Sequence, residues 1–343
     1  MDFCRQFIAV VFALLLVSLN GCADEAERDQ IIVPETEMEE SIQALDFDGP
    51  EVVVLGIAQD AGYPQANCRK DCCAKLWEEA SAREMVSCIG IIDRDSSGRI
   101  CTWMIDATPD FKDQLHALQE FSGASGIESL QRGGILLTHG HMGHYTGLMH
   151  LGREAMGAES IPVYAMPRMR EYLSTSGPWS QLVNLRNIEL RELDASRSIR
   201  LSESLKVTPL VVPHRDEFTE TVGFVLAGSS ARLLFIPDID KWEKWELKLE
   251  DVLTEVDYAL LDATFFDQDE VQRDMSEIPH PFVVESILRL QNLPESERNK
   301  IYFIHLNHSN PLLQSGSAAM NTVIEAGMYV ARFGSSFSLG KAN

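Results

Sequence analysis

Basic residues are scarce in this chain. Its 343 residues include 29 Lys and Arg against 52 Asp and Glu, a formal charge of -23. A surface so poor in cations offers little to a phosphate backbone, so no nucleic-acid partner is expected. The sequence also lacks a G-x-S-x-G elbow, a P-loop and a dinucleotide fingerprint, the marks of serine hydrolases, nucleoside-triphosphate users and nicotinamide or flavin enzymes. After residue 50 it has no internal repeat, low-complexity block or domain-sized linker, which argues against a repeat array.

The hydrophobic fraction, 45%, is enough for a substantial core. The apolar run from Phe7 to Leu19 follows Arg5 and is short for a bilayer span, but it suits the h-region of an export signal. Leu19-Asn20-Gly21-Cys22 resembles a bacterial lipobox. That resemblance implies removal of residues 1–21, lipid attachment to Cys22 and export, and Ala23 points to the periplasmic face of the outer membrane. An ordinary signal peptide with a chance cysteine is the alternative. Residues 22–49 are acidic and poor in apolar side chains and read as a flexible tether, which leaves 50–343 as the folded domain. The expected partners are a lipid membrane, through the acyl anchor, and a small-molecule substrate.

Strand patterns fall at 52–55, 86–93, 99–106, 134–138, 161–165, 205–212, 221–228, 231–236, 257–262, 300–305 and 328–333. Helical spacing falls at 110–121, 145–156, 240–256 and 281–292, with Thr108 and Pro109 suited to open the first of these. Hairpin-rich sheet followed by interleaved helices predicts a single α/β sandwich.

Several strands end in a side chain able to bind metal. Leu137-Thr138 leads to His139, Val212-Pro213 to His214, Ile236-Pro237 to Asp238, and Phe303-Ile304 to His305. A lone histidine of this kind is usually a satisfied core residue, but four strand ends in one sheet system are where open α/β folds assemble a site. His139 and His141, two apart, share a face if the strand continues through them. Neutral imidazoles suit zinc and leave iron and manganese open, and Asp238 adds an oxygen donor able to bridge two ions. Such a site activates water near neutral pH, which is hydrolytic chemistry without a protein nucleophile.

The run Thr138-His139-Gly140-His141-Met142-Gly143-His144-Tyr145-Thr146-Gly147 resembles the metallo-β-lactamase superfamily signature T-H-x-H-x-D-H-x-x-G. Over residues 50–315 the chain is similar to coenzyme PQQ synthesis protein B and its exported relatives, through Tyr63-Pro64-Gln65, Cys68, His144-Tyr145-Thr146-Gly147-Leu148 and Phe303-Ile304-His305-Leu306-Asn307. The resemblance implies an αββα sandwich of two mixed sheets. It implies a first ion on His139, His141 and His214, and a second on His144, Asp238 and His305. It also implies that Asp106 orients a metal-bound histidine, close enough to the chemistry to rank with Asp238 and Asp60 among the catalytic candidates.

Gly143 departs from the signature by standing in its aspartate slot, so the second ion is expected to bind more weakly than the first, and an aspartate restored there should strengthen it. Asp60, in a turn-forming Asp-Ala-Gly, or His308 is the candidate replacement ligand, and Asp262 and His280 are spare groups that could act on substrate. Relatives hold a structural zinc with a C-x-C-x-x-C run at the position of Cys68, Cys72 and Cys73. Three thiolates and one further donor would complete such a site here, with disulfide pairing as the rival in an oxidising compartment. Cys88 and Cys101 are expected to be buried free thiols, with Cys101 facing residue 92 across a hairpin. The expected activity is hydrolysis of an ester, phosphodiester or lactone-like bond by metal-bound hydroxide, with one or two active-site zinc ions. The alternatives are an oxidative, cofactor-modifying role like that of the PQQ protein and a non-catalytic metal-binding protein.

Overall fold

A computed structural model describes residues 42–271, 274, 275 and 278–341. The export signal, Cys22 and most of the acidic segment lie outside the described residues. Ile42, Leu45 and Phe47, assigned by composition to the tether, instead pack on the apolar core, and the Leu45 N–H donates to the Phe121 carbonyl at 2.7 Å.

The first half of the chain supplies β1 (Glu51–Gly56), β2 (Cys88–Arg94), β3 (Ile100–Ile105), β4 (Gly134–Leu136), β5 (Ile161–Ala165) and β6 (Ile188–Glu192). The second supplies β7 (Ile199–Arg200), β8 (Lys206–Val211), β9 (Val222–Ala227), β10 (Arg232–Ile236), β11 (Tyr258–Asp262), β12 (Ile301–Ile304), β13 (Tyr329–Val330) and β14 (Ser336–Ser338). They form two seven-stranded sheets, ordered β14-β1-β2-β3-β4-β5-β6 and β13-β12-β11-β10-β9-β8-β7. With helices such as Phe111–Ser122 and Val283–Leu290 on the outside, this is the expected αββα sandwich.

The run Val52–Leu55 reads as continuously apolar because both of its faces are covered. Val52 and Val54 join the core between the sheets, while Val53 and Leu55 join the core beneath Phe111, Leu118 and Phe121. Strands β3 to β6 run parallel, as do β10 to β13. Parallel neighbours end at the same edge, so the residues that follow β3 and β4 emerge together from the first sheet and those that follow β10, β11 and β12 from the second.

The long helices expected at 145–156 and 240–256 are broken. The first is a turn of α-helix, Met142–Tyr145, running into a 3-10 segment, Thr146–Leu151. In the second, the Trp242 indole donates to Ser286 and the Trp245 indole to the Val211 carbonyl, and the chain is extended at Trp245 and again at Lys248 before the helix Leu249–Leu253. The apolar periodicity marked burial correctly there, since Trp242, Trp245, Leu249, Leu253 and Val256 are all core residues. Cys101 faces Asp93, one residue from the expected partner, and both Cys88 and Cys101 are buried free thiols.

Candidate metal centre

Residues just beyond the strand ends build two adjoining clusters. His139, His141, His214 and Asp238 offer ligand atoms that all lie within 4.8 Å of one another. His141 Nδ1 is 3.0 Å from His139 Nε2 and 3.2 Å from His214 Nε2. A tetrahedron with metal–nitrogen bonds of about 2.0–2.1 Å has edges of about 3.4 Å, so three imidazole nitrogens at this spacing suit a zinc-type ion. Asp238 Oδ2 is 3.2 Å from His214 Nε2, 3.4 Å from His139 Nε2 and 3.8 Å from His144 Nε2, which places it between this cluster and the next.

The second cluster is Asp60, His144 and His305. Asp60 Oδ1 is 3.2 Å from His144 Nε2 and 3.6 Å from His305 Nε2. Among the described residues, Asp60 Oδ1, His144 Nε2, His305 Nε2 and Asp238 Oδ1 are all buried without a well-formed hydrogen bond, although His280 Nδ1 lies 3.2 Å from Asp238 Oδ1. Buried polar atoms are rarely left unpaired, and four of them converging is what a cation-shaped space lined with lone pairs looks like.

The far nitrogen of each histidine is held in place. Asp106 Oδ2 lies 2.7 Å from His144 Nδ1, and Thr138 Oγ1 is 3.0 Å from His139 Nδ1. Asp240 Oδ1 is 3.3 Å from His214 Nδ1, Glu217 Oε2 is 3.2 Å from His141 Nε2, and Thr264 Oγ1 is 2.9 Å from His305 Nδ1. Such contacts fix the ring orientation and tautomer and leave the inner nitrogen free to coordinate. Asp106 (φ 72) and His305 (φ 65) both adopt the left-handed backbone region, a cost of order 1–3 kcal/mol each that persists where surrounding structure enforces it.

Burial keeps His139 and His141 below the ordinary imidazole pKa, so both are neutral and able to coordinate. His144 differs. Burial pulls its pKa down, but the adjoining carboxylates of Asp106 and Asp60 outweigh that and raise it well above the usual value. Burial would raise Asp60 and Asp238, yet neighbouring histidines hold both carboxyls well below their ordinary range and so ionised.

Two sequence assignments are corrected. Asp106 is fully buried and is spent on Thr138 N, Thr138 Oγ1 and His144 Nδ1, so it positions a histidine and has no route to a substrate. His308 lies outside the histidine clusters and joins Cys68, Cys72 and Cys73 in a group of its own. Cys72 Sγ is 3.9 Å from both Cys68 Sγ and Cys73 Sγ. That is near the edge of about 3.8 Å for a tetrahedron with zinc–sulfur bonds of about 2.3 Å, and too long for a disulfide. All three thiols are free, and burial together with Lys70 keeps His308 below the ordinary imidazole pKa.

Asp262 is committed to the backbone N–H groups of Ile239 and Thr264 and to His280 Nδ1. His280 lies between Asp262 and Asp238, which lift its pKa to about 10 against the opposing effect of burial. It also lines a cavity of about 730 Å³ with Gln59, Lys70, Arg215, Asn307 and His308. Sequence reading missed Glu217, Asp240 and Thr264 as supports. Asp240 stands two residues after Asp238 and Glu217 three after His214, a proximity to proposed ligands that could have marked them.

A beta-lactamase superfamily domain model matches residues 102–306. Coenzyme PQQ synthesis protein B of Pseudomonas protegens is 28% identical over 316 residues, covering 84% of this chain and 99% of that protein. The protein of the same name from a Methylobacterium species is 26% identical, covering 84% and 100%. Among solved structures, zinc-bound PqqB from Methylobacterium extorquens superposes with a TM-score of 0.67 at 23% identity, covering 84% of this chain and all of that one. A diphosphatase of the PhnP family gives a TM-score of 0.55 at 22% identity, covering 84% and 96%. With its two-sheet sandwich, its strand-end histidines and a domain match over most of its length, this chain belongs to the metallo-β-lactamase superfamily.

Proposed function

We propose that the protein is a metal-dependent hydrolase that cleaves an ester, phosphodiester or lactone-like bond in a small anionic molecule. The observation that carries this is the convergence of histidine and aspartate ligand atoms in two adjoining clusters, beside a cavity lined in part by Gln59, Arg215 and His280, which adjoin those ligands in sequence or in contact. His139, His141 and His214 would hold one ion, and His144, His305 and Asp238 would support a second. A bound zinc-type ion would bring the pKa of coordinated water to about 7 and polarise the bond under attack.

The chain's own contribution is orientation and charge. Asp106, Asp240, Glu217, Thr138 and Thr264 fix the imidazole rings. Among the described residues no Asp or Glu lines the cavity, whereas Lys70, Arg215 and His280 do. Arg215 is also 3.7 Å from Glu217. Such a wall favours a negatively charged substrate.

The test is metal analysis of the purified protein alongside turnover of nitrophenyl phosphodiester, nitrophenyl acetate and lactone probes. Zinc with hydrolysis of at least one probe, the anionic diester preferred, supports the reading. Bound iron or copper with no hydrolysis favours an oxidative, cofactor-modifying role instead, and retained zinc with no turnover favours a metal-binding protein. The Cys68, Cys72, Cys73 and His308 group is proposed to hold a separate structural zinc, so Cys68→Ser should lower the zinc content by one ion and reduce thermal stability without loss of the histidine-site metal. We further propose lipid anchoring at Cys22 on the periplasmic face of the outer membrane. Cys22→Ser should then release soluble protein or leave an unprocessed precursor, and an unmodified mature cysteine by mass spectrometry would refute the anchor.

A further inference from the structure

An ideal Cβ built on Gly143 would lie 2.3 Å from Asp60 Oδ1, 2.6 Å from Asp60 Cα and 2.7 Å from Asp60 Cγ. The space that any side chain at position 143 would need is therefore already filled by the Asp60 carboxylate. Gly143 lies within the short helix Met142–Tyr145 and is not among the positive-φ glycines, so its backbone conformation is open to any residue. Glycine inside a helix costs about 1 kcal/mol relative to alanine. Space, rather than chain geometry, accounts for it here.

The loop is built to deliver Asp60 to this point. Ala58 bridges to both Val86 and Leu306, the Leu306 N–H donates to the Ile57 carbonyl at 2.7 Å, and the Gln59 N–H donates to the Leu306 carbonyl at 2.8 Å. This pairing ties the segment before Asp60 to the residue after His305. The turn that follows is closed by backbone alone, from Gly62 N–H to the Gln59 carbonyl at 2.8 Å. Asp60 Oδ1 faces the His144 and His305 ring nitrogens and, among the described residues, no backbone N–H of the turn, so stabilising the turn does not explain where the carboxylate points.

We propose that Asp60 ligates the second ion, occupying from the β1 loop the place that the superfamily signature gives to an aspartate at position 143, and that Gly143 is required because only a hydrogen there leaves room for it. The inference rests on the metal-site reading above. It reverses two expectations drawn from the sequence. The second site keeps its anionic ligand and is not weakened, because the negative charge that offsets repulsion between neighbouring dications is present. Adding an aspartate at 143 displaces Asp60 rather than strengthening the site.

Full-length apoprotein would be titrated with zinc alone, and bound metal counted after desalting, for wild type, Asp60→Asn, Asp60→Ala, Gly143→Ala and His141→Ala, with near-UV circular dichroism as the check on folding. Asp60→Asn keeps the size of the side chain and guards against a loss of the loop. Gly143→Ala removes no donor atom at all. Both Asp60 variants and Gly143→Ala should hold one ion fewer than wild type, or bind it at least about tenfold more weakly. Full stoichiometry and affinity in Asp60→Asn overturns the ligand assignment, and full occupancy in Gly143→Ala overturns the packing argument. If His141→Ala binds as much zinc as wild type, the histidine site takes up none, and this inference falls together with the proposed function.

Discussion

Replacing His141 with alanine should empty the first cluster and stop turnover while leaving the fold intact. His141 Nδ1 lies between His139 Nε2 and His214 Nε2, so its loss leaves two histidines and Asp238 on that side. Losing an outer partner of a metal ligand typically costs about 10–100-fold in affinity or activity, and losing the ligand itself should cost more. The comparison is internal to the protein. Asp240→Ala removes the contact to His214 Nδ1 and an ion pair with Lys244 but no proposed metal ligand, and should fall within that range, whereas His141→Ala should fall below it in kcat/KM and in bound zinc together. The His141 side chain is 11% exposed, so the metal-free variant should melt close to metal-free wild type. A His141→Ala enzyme with normal zinc and normal turnover would show that the first cluster is not the catalytic one.

Asp106→Ala should have the largest effect on stability, about 3–5 kcal/mol, as expected when one partner of a buried ion pair is removed. The carboxylate is fully buried and accepts from Thr138 N at 2.8 Å and Thr138 Oγ1 at 2.9 Å, besides its contact with His144 Nδ1. Its loss strands a buried imidazole and two donors. The pH dependence carries a definite sign in metal-free protein. A histidine whose folded pKa is raised adds stability that is fully present below its ordinary value and fades as pH rises through the folded value. The His144 pKa is raised in this way, so the Asp106→Ala deficit in urea denaturation should be greatest near pH 6 and shrink under alkaline conditions. A deficit independent of pH would place the role of Asp106 in its Thr138 bonds alone.

Much of the site could be read from residue order because it is made at strand ends, where an apolar run stops and a polar side chain follows. His139, His214, Asp238 and His305 all obey that rule, and the fold brings them together. The residues that sequence named without deciding between are those whose position depends on distant pairing. Asp-Ala-Gly specifies a turn whether or not its carboxylate meets a metal, and only the pairing of the β1 loop with Leu306 shows that it reaches His144. His308 stands three residues after His305 in sequence, but His305 is in a left-handed conformation and the chain leaves the site there to meet the cysteine loop. Strands β7 and β14 are two and three residues long, too short for periodicity to register. Strand β6, Ile-Glu-Leu-Arg-Glu, also alternates, yet it lies outside the strands expected from sequence.

The chain lays down nearly all of one sheet before starting the other, crossing between them after β6 and returning only for β14. His139, His141 and His144 follow β4 in the first sheet, whereas His214, Asp238 and His305 follow strands of the second. Each cluster therefore draws ligands from both layers, and a bound ion would act as a rivet through the seam. Prying the layers apart would have to release it, so resistance to unfolding should track free zinc, rising by about 2.7 kcal/mol at a hundredfold excess over Kd for one such ion. Proteolysis timed at graded zinc concentrations would then report the closure of the seam, with or without a known substrate.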